Sequence, residues 1–473
     1  MLPLLHFLQL LSCSDDSTLS QTEFTDKQPP SVVIIGGGAS GMATAIRLIE
    51  HGIFPTIIEK ENNLGGAGIH AGRFFAIETN QQKESNIQDS LEITLEEWQT
   101  ITGSDPDNNV ENFLANSAVT LQWIESYGVE FESPVIDAGA GTLARLHPLS
   151  PNFEHPLTIW STLLYPYALL NTPVLSIVQS DQTFTITTED DIIHATHVVI
   201  ASGGFARNAD LVTNFLPEIN DFDWHMEAWP GMTGDAFQWF ADTNVELQNT
   251  NHIGLYAHSV SDPILGSPET MIIPALERSL IVSDDGIRIM DETKTQSLQS
   301  GIEMLNHGPL FAIFDADAWP GTHFQGMGYN YDPPRLLSSS DFEDLGIIYT
   351  GSDVQDLANN LEIPSTNLFH TIEIYNQGFS SNTDEYGKDL SNLTAIQRPP
   401  FVAIPLVLST GKSFGGAATS TLAESNIQNL YVVGEASGFL GTPSVGWGFS
   451  GSITACYHQG FQAADAIYAT LSE

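Results

Sequence analysis

Val32-Val33-Ile34-Ile35-Gly36-Gly37-Gly38-Ala39-Ser40-Gly41 decides how this chain folds. Four β-branched residues in a row read as a buried parallel strand. The glycines that follow fit G-x-G-x-x-G at positions 36, 38 and 41, and Ala43 to Glu50 reads as a helix. In such a strand-turn-helix the first glycine makes the turn and the second admits a diphosphate. The third lets the helix pack on the strand. A second short strand, Thr56-Ile57-Ile58, ends at Glu59, 18 residues after Gly41. An acid at that distance is expected to hold a ribose 2′-hydroxyl. The helix amides around Ser40 would neutralise the diphosphate without help from cationic side chains.

That economy suits the composition. The chain has 473 residues and 42% apolar content, enough for a large core and for two domains. It carries 58 Asp and Glu against 14 Lys and Arg, a formal charge of -44, yet only 15% of its residues are charged. The chain avoids bases; it is not loaded with acids. A nucleic-acid binder with a basic face is excluded, and docking on anionic membranes is disfavoured. An acidic exterior is one account of the imbalance. At low pH, charge would rest on 14 Lys and Arg and 14 His, which limits self-repulsion.

The two cysteines, Cys13 and Cys456, make neither a disulfide framework nor a metal cluster. His252, His258 and His323 show no metal-ligand spacing either. Leu10-Leu11-Ser12-Cys13 follows an apolar run too short to span a bilayer and resembles a lipoprotein cleavage box, though no basic region precedes it. Residues 1–30 are read as an export signal or lipoprotein tether, exported or periplasmic with a lipid anchor at Cys13. The other reading is the polar tail of a cytoplasmic protein. Cys456, in an apolar helical stretch, is expected in the core.

Further along, Leu64-Gly65-Gly66-Ala67-Gly68 precedes Ala71-Gly72-Arg73. Val198 to Phe205 is a second strand and glycine turn, and Thr233-Gly234-Asp235-Ala236 and Gly286-Ile287-Arg288 follow. Gly415-Gly416 and Tyr431-Val432-Val433-Gly434-Glu435 come last. In this order the segments resemble the fumarate reductase/succinate dehydrogenase flavoprotein family, which includes soluble fumarate reductases and 3-ketosteroid dehydrogenases. The resemblance covers roughly residues 31 to 470. It implies an α/β fold, with a Rossmann-like FAD-binding domain interrupted by an inserted α+β substrate-capping domain. Residues 31–224 and 378–473 would form the FAD-binding domain and 225–377 the cap. Non-covalent FAD is the implied cofactor. Beyond Gly36, Gly38, Ser40, Gly41 and Glu59, its implied contacts are Lys60, Gly65, Gly66, Gly72, Val174, Ala201, Gly203, Gly204, Asp235, Gly434 and Glu435. Ser450 and Ile453 join them at the start of the last helix, whose free amides would face the flavin pyrimidine carbonyl.

The family pattern breaks at the substrate. Its proton-donating arginine, in D-x-x-F-G-R, is matched by Lys388 in Asp384-Glu385-Tyr386-Gly387-Lys388. Val445 stands where a second arginine grips the substrate carboxylate, and in Gly411-Lys412-Ser413-Phe414-Gly415-Gly416 the histidine expected before T-x-G-G is lost. Valine cannot replace a bidentate clamp, so fumarate itself is a poor fit. Phe439, Leu440, Val445, Trp447 and Phe449 suggest a larger, relatively apolar or aromatic substrate, or else simply pack the core. Lys388 and Lys412, two of only six lysines, are candidates for handling a proton and for holding a substrate oxygen. Tyr386 is held in reserve. His147, after Gly139-Ala140-Gly141, is a candidate beside its reading as a structural histidine.

The expected activity is FAD-dependent oxidation or reduction of a C–C bond conjugated to a carbonyl or carboxylate. No heme or Fe–S cysteines occur, so a separate electron donor or acceptor is required. The rival expectation is a non-catalytic or electron-carrying flavoprotein.

Overall fold

The computed structural model describes residues 31–102, 105–135, 142–295, 299–326, 335–381, 383–438 and 452–472. The strand Val32–Ile35 lies at the centre of a five-stranded parallel sheet. The order is Leu430–Val432, His197–Ile200, Val32–Ile35, Thr56–Ile58, Ala168–Leu169. In register, Ile35 is level with Ile58 on one side and with Ile200 on the other. The three inner strands are rich in Val, Ile and Thr, as suits a sheet covered on both faces.

The first helix, Ala39–Glu50, covers one face and is itself covered by the C-terminal helix Ser452–Ser472. Gly460 permits that approach: a Cβ there would lie 2.5 Å from the Ser40 carbonyl oxygen. Arg47 ties the two helices at their outer edge through Asp465, at 2.7 and 3.2 Å.

The helix expected from Val110 spans Asn108–Glu125. It starts earlier because the Asp107 carboxylate accepts the Val110 N–H at 2.9 Å, closing the first turn. The alternating segment at Thr183 is the middle strand of a three-stranded meander, 174–180, 183–188 and 192–195. Its Phe184 and Ile186 are buried.

The second sheet has nine strands. Its axis is the long strand Phe401–Ser413, which pairs antiparallel with Ile253–Ser261, Leu310–Phe314 and Tyr349–Gly351 and parallel with Trp224–Met226. Residues 401–413 thus belong to the sheet built by the expected cap, and the chain re-enters the first sheet only at Leu430. Among the described residues no helix is long and apolar enough to cross a membrane.

Candidate active site

Strand ends and turns of the first sheet open onto a cavity of about 950 Å³. Its walls include Gly36 and Gly38, Ile58 to Glu61, Ala201 to Gly204, and Glu435. The opposite wall comes from the second sheet and its loops, with Glu227 to Trp229, Tyr256, Thr293, Lys294, Gly411 and Lys412.

The cradle is set by close packing. A Cβ on Gly41 would lie 2.0 Å from the Gly36 carbonyl oxygen, so only glycine lets the helix start this near the strand. A Cβ on Gly38 would meet nothing within 4 Å; that position faces free space. No side chain caps the start of Ala39–Glu50 and its first turn holds no acid. The first amides are left for an anion. Four of the chain's 14 Lys and Arg line this one cavity: Lys60, Arg73, Lys294 and Lys412. Backbone donors and a spared side-chain volume together fit a dinucleotide diphosphate.

Glu59 closes the second strand. One carboxylate oxygen accepts the Gly37 N–H at 2.6 Å and the other the Glu61 N–H at 2.8 Å. Burial raises its pKa against the pull of these donors. Lys60 reaches Thr233 Oγ1 at 2.5 Å and Asp235 Oδ2 at 2.8 Å, which joins the strand end to the Thr-Gly-Asp turn.

Of the expected cofactor residues, Gly36, Gly38, Ser40, Glu59, Lys60, Gly66, Gly72, Val174, Ala201, Gly203, Gly204, Asp235, Glu435 and Ile453 line the cavity. Gly41, Gly65 and Gly434 stand behind the wall. Gly65 donates its N–H to the Gly37 carbonyl at 2.9 Å, and a Cβ on Gly434 would lie 2.5 Å from Ser40 Oγ. Ser450, Phe439, Leu440, Val445, Trp447, Phe449, Gly139 to Gly141 and Cys13 lie outside the described residues.

The expected catalytic groups separate. Lys412 lines the cavity. Burial lowers its pKa, with the nearby Glu435 charge opposing. Glu435 is correspondingly pushed up to about 7 by burial, with Lys412 opposing. Lys388, His147 and Tyr386 are not brought to the cavity. The Lys388 ammonium is sealed at 2.8 Å from Glu292, within 3.1 Å of the Ser279 carbonyl and the Tyr375 hydroxyl. Glu292 is gripped in turn by Arg288 through two 2.9 Å bonds, and Arg288 reaches Asp384 at 2.6 Å. Tyr386 spends its hydroxyl on the Arg288 carbonyl at 2.8 Å. His147 is fully buried. Its Nδ1 lies against the Phe74 and Arg145 carbonyls at 3.2 and 3.0 Å and its Nε2 against Thr79 Oγ1 at 2.8 Å. Two carbonyls require a proton on Nδ1, so Nε2 accepts from Thr79. Burial pushes the imidazole down to about 4 and keeps it neutral.

Cys456 packs against the core, as expected, but at its edge. It is partly exposed and lines the cavity three residues after Ile453, one helical turn along the same face.

The wall formed by the second sheet holds groups the sequence pattern does not single out. Glu227 is buried and accepts from His258 Nε2 at 2.8 Å, Ser409 Oγ at 2.8 Å and Ser259 Oγ at 3.2 Å. The His258 ring stacks on Tyr256 at 4.8 Å between centroids, 8° from parallel. Burial works to raise the pKa of Glu227, but the charge of His258 and these donors hold the carboxylate below its usual range.

The FAD binding domain family matches residues 31–448. The chain belongs to that family.

Its relatives include the vinyl phenol reductase of Lactiplantibacillus plantarum, 24% identical over 451 residues, covering 87% of this chain and 90% of that protein. The NADH:fumarate oxidoreductase of Klebsiella pneumoniae is 23% identical over 87% of this chain, which spans only 45% of that protein. The fold matches the 3-ketosteroid delta1-dehydrogenase of Sterolibacterium denitrificans with a TM-score of 0.74 at 17% identity, covering 94% of this chain and all of that one. The protein is therefore an FAD-dependent oxidoreductase with the fold of the fumarate reductase flavoproteins.

Proposed function

We propose that this flavoprotein reduces, or in reverse forms, a C–C double bond conjugated to a carbonyl or carboxylate. Its substrate is larger and less charged than fumarate. The observation that carries the reading is the junction within one cavity. A dinucleotide cradle on one side meets a wall of Tyr256, Trp229, Met232, Phe75 and Leu146 on the other. What the relatives' names support is a substrate larger and less charged than fumarate: vinyl phenol reductase is named for an aryl alkene and the steroid dehydrogenase for a ring ketone.

Bound FAD supplies the hydride chemistry at N5. The chain supplies position and polarity. The glycine cradle and Glu59 fix the cofactor's diphosphate and ribose. The loop Glu227 to Met232 and the strand carrying Tyr256 cover the substrate and exclude water. Lys412 holds the substrate oxygen at the edge of the apolar wall, where developing negative charge is stabilised. Lys388 serves the cap by neutralising Glu292 in its interior. Electrons come from, or go to, a separate carrier. Export with lipid attachment at Cys13 would place that carrier outside the cytoplasm.

Turnover with a reduced viologen dye as electron donor tests the substrate class. An aryl acrylate, urocanate or a steroid enone is expected to be reduced at least tenfold faster than fumarate at equal concentration. Fumarate as the best acceptor would overturn the reading.

A further inference from the structure

Gly411 sits near the end of the long central strand, on the cavity wall, and its φ lies outside the left-handed region. Space, not backbone freedom, demands a glycine there. A Cβ would lie 2.3 Å from Tyr256 Cε2 and 3.0 Å from Cδ2. The strand register explains the closeness. Gly254 pairs with Lys412 but Leu255 pairs with Thr410, so Gly411 is an extra residue bulged out of the ladder. A second irregularity follows between Tyr256 and Ser259. Bulges re-aim side chains, and Tyr256 lies between two of them.

The ring so placed is held from behind. It stacks on His258, which is anchored to Glu227, and Glu227 takes two further hydroxyls from Ser259 and Ser409. Tyr256 is only 1% exposed yet lines the cavity. Burial and the charges of Glu227 and Glu435 push its phenol well above its ordinary pKa. It therefore remains an O–H donor, and the Glu227 carboxylate disfavours a second anion beside it.

We propose that Gly411 and Tyr256 form one specificity-determining pair, in which the bulge at Gly411 seats the ring and the Tyr256 hydroxyl donates a hydrogen bond to a neutral phenol or carbonyl oxygen of the substrate. This rests on the reading of the cavity as a conjugated-alkene site and adds to Lys412 a neutral donor for a substrate oxygen. A site that hydrogen-bonds a substrate hydroxyl rejects the analogue lacking it.

The test is binding to the oxidised holoprotein, followed through the flavin absorbance, with 4-ethylphenol and ethylbenzene as probes. Wild type is expected to bind 4-ethylphenol about tenfold or more tightly than ethylbenzene, the scale of one buried hydrogen bond. Y256F should retain full flavin content and lose the difference. G411A should lose it as well, because the added methyl displaces the ring. Y256F/G411A should be no worse than the more affected single variant. Discrimination that survives in Y256F, or is absent from wild type, overturns the pair. Alkene turnover reports separately on the parent reading. A wild type that reduces alkenes but does not discriminate the probes fails only the pair. One that discriminates but reduces no alkene fails only the reaction.

Discussion

Gly38→Val is expected to give folded protein without FAD. A Cβ at Gly38 would point into free space, with no protein atom within 4 Å of it, so a side chain can start there without striking the protein. It fills the volume through which a diphosphate approaches the first helix. The cofactor's Kd should rise at least about a hundredfold, because the anion loses the backbone donors at the helix start. Gly41 would be a poor choice for this test. Its Cβ would strike the Gly36 carbonyl at 2.0 Å, and loss of flavin would then be confused with loss of fold. Absorbance at the flavin bands and far-UV circular dichroism separate the two. Wild-type flavin stoichiometry in Gly38→Val would remove the cradle from the account.

Lys388→Met is expected to weaken the fold and spare the chemistry. The ammonium and the Glu292 carboxylate are both fully closed from solvent at 2.8 Å. Removing one partner of such a pair costs about 3–5 kcal/mol. The low end applies, because Arg288 keeps two bonds to Glu292. A loss of about 3 kcal/mol should show as a lower urea midpoint with normal flavin content. Turnover measured well below the unfolding temperature should stay within a few-fold of wild type. An unchanged midpoint with turnover abolished would return Lys388 to the reaction.

These two residues mark what the sequence makes legible. The cradle is local: strand, glycines, helix and Glu59 lie within 28 residues, and each obeys a rule that neighbours alone can satisfy. The Leu310–Phe314 strand and the final helix are readable for the same reason. Lys388 is conspicuous because bases are scarce and because of its motif. Its partner Glu292 is 96 residues away, and nothing in the local pattern distinguishes a buried ion pair from a catalytic lysine. The Glu227, His258 and Ser409 cluster joins three separate segments across the second sheet, so no spacing announces it. Tyr256 depends on a bulge opposite, and a bulge is a property of two paired strands. Gly411, a lone glycine beside Lys412, gives no sign of that pairing by itself. Cys456 shows the limit of helical spacing. Its apolar surroundings point to the core, against which it packs, but not to the cavity that the same face borders from Ile453.

The central claim is that a conjugated alkene takes electrons directly from the flavin in this cavity. The holoprotein should be photoreduced without oxygen and mixed with fumarate, urocanate, an aryl acrylate or a steroid enone, at pH 3 and at pH 7. The account predicts that one of the larger alkenes restores the oxidised flavin spectrum rapidly, with one equivalent of saturated product formed per flavin, while fumarate does so slowly. If no alkene reoxidises the flavin and a quinone or oxygen does, the protein is an electron carrier or oxidase and the account is wrong.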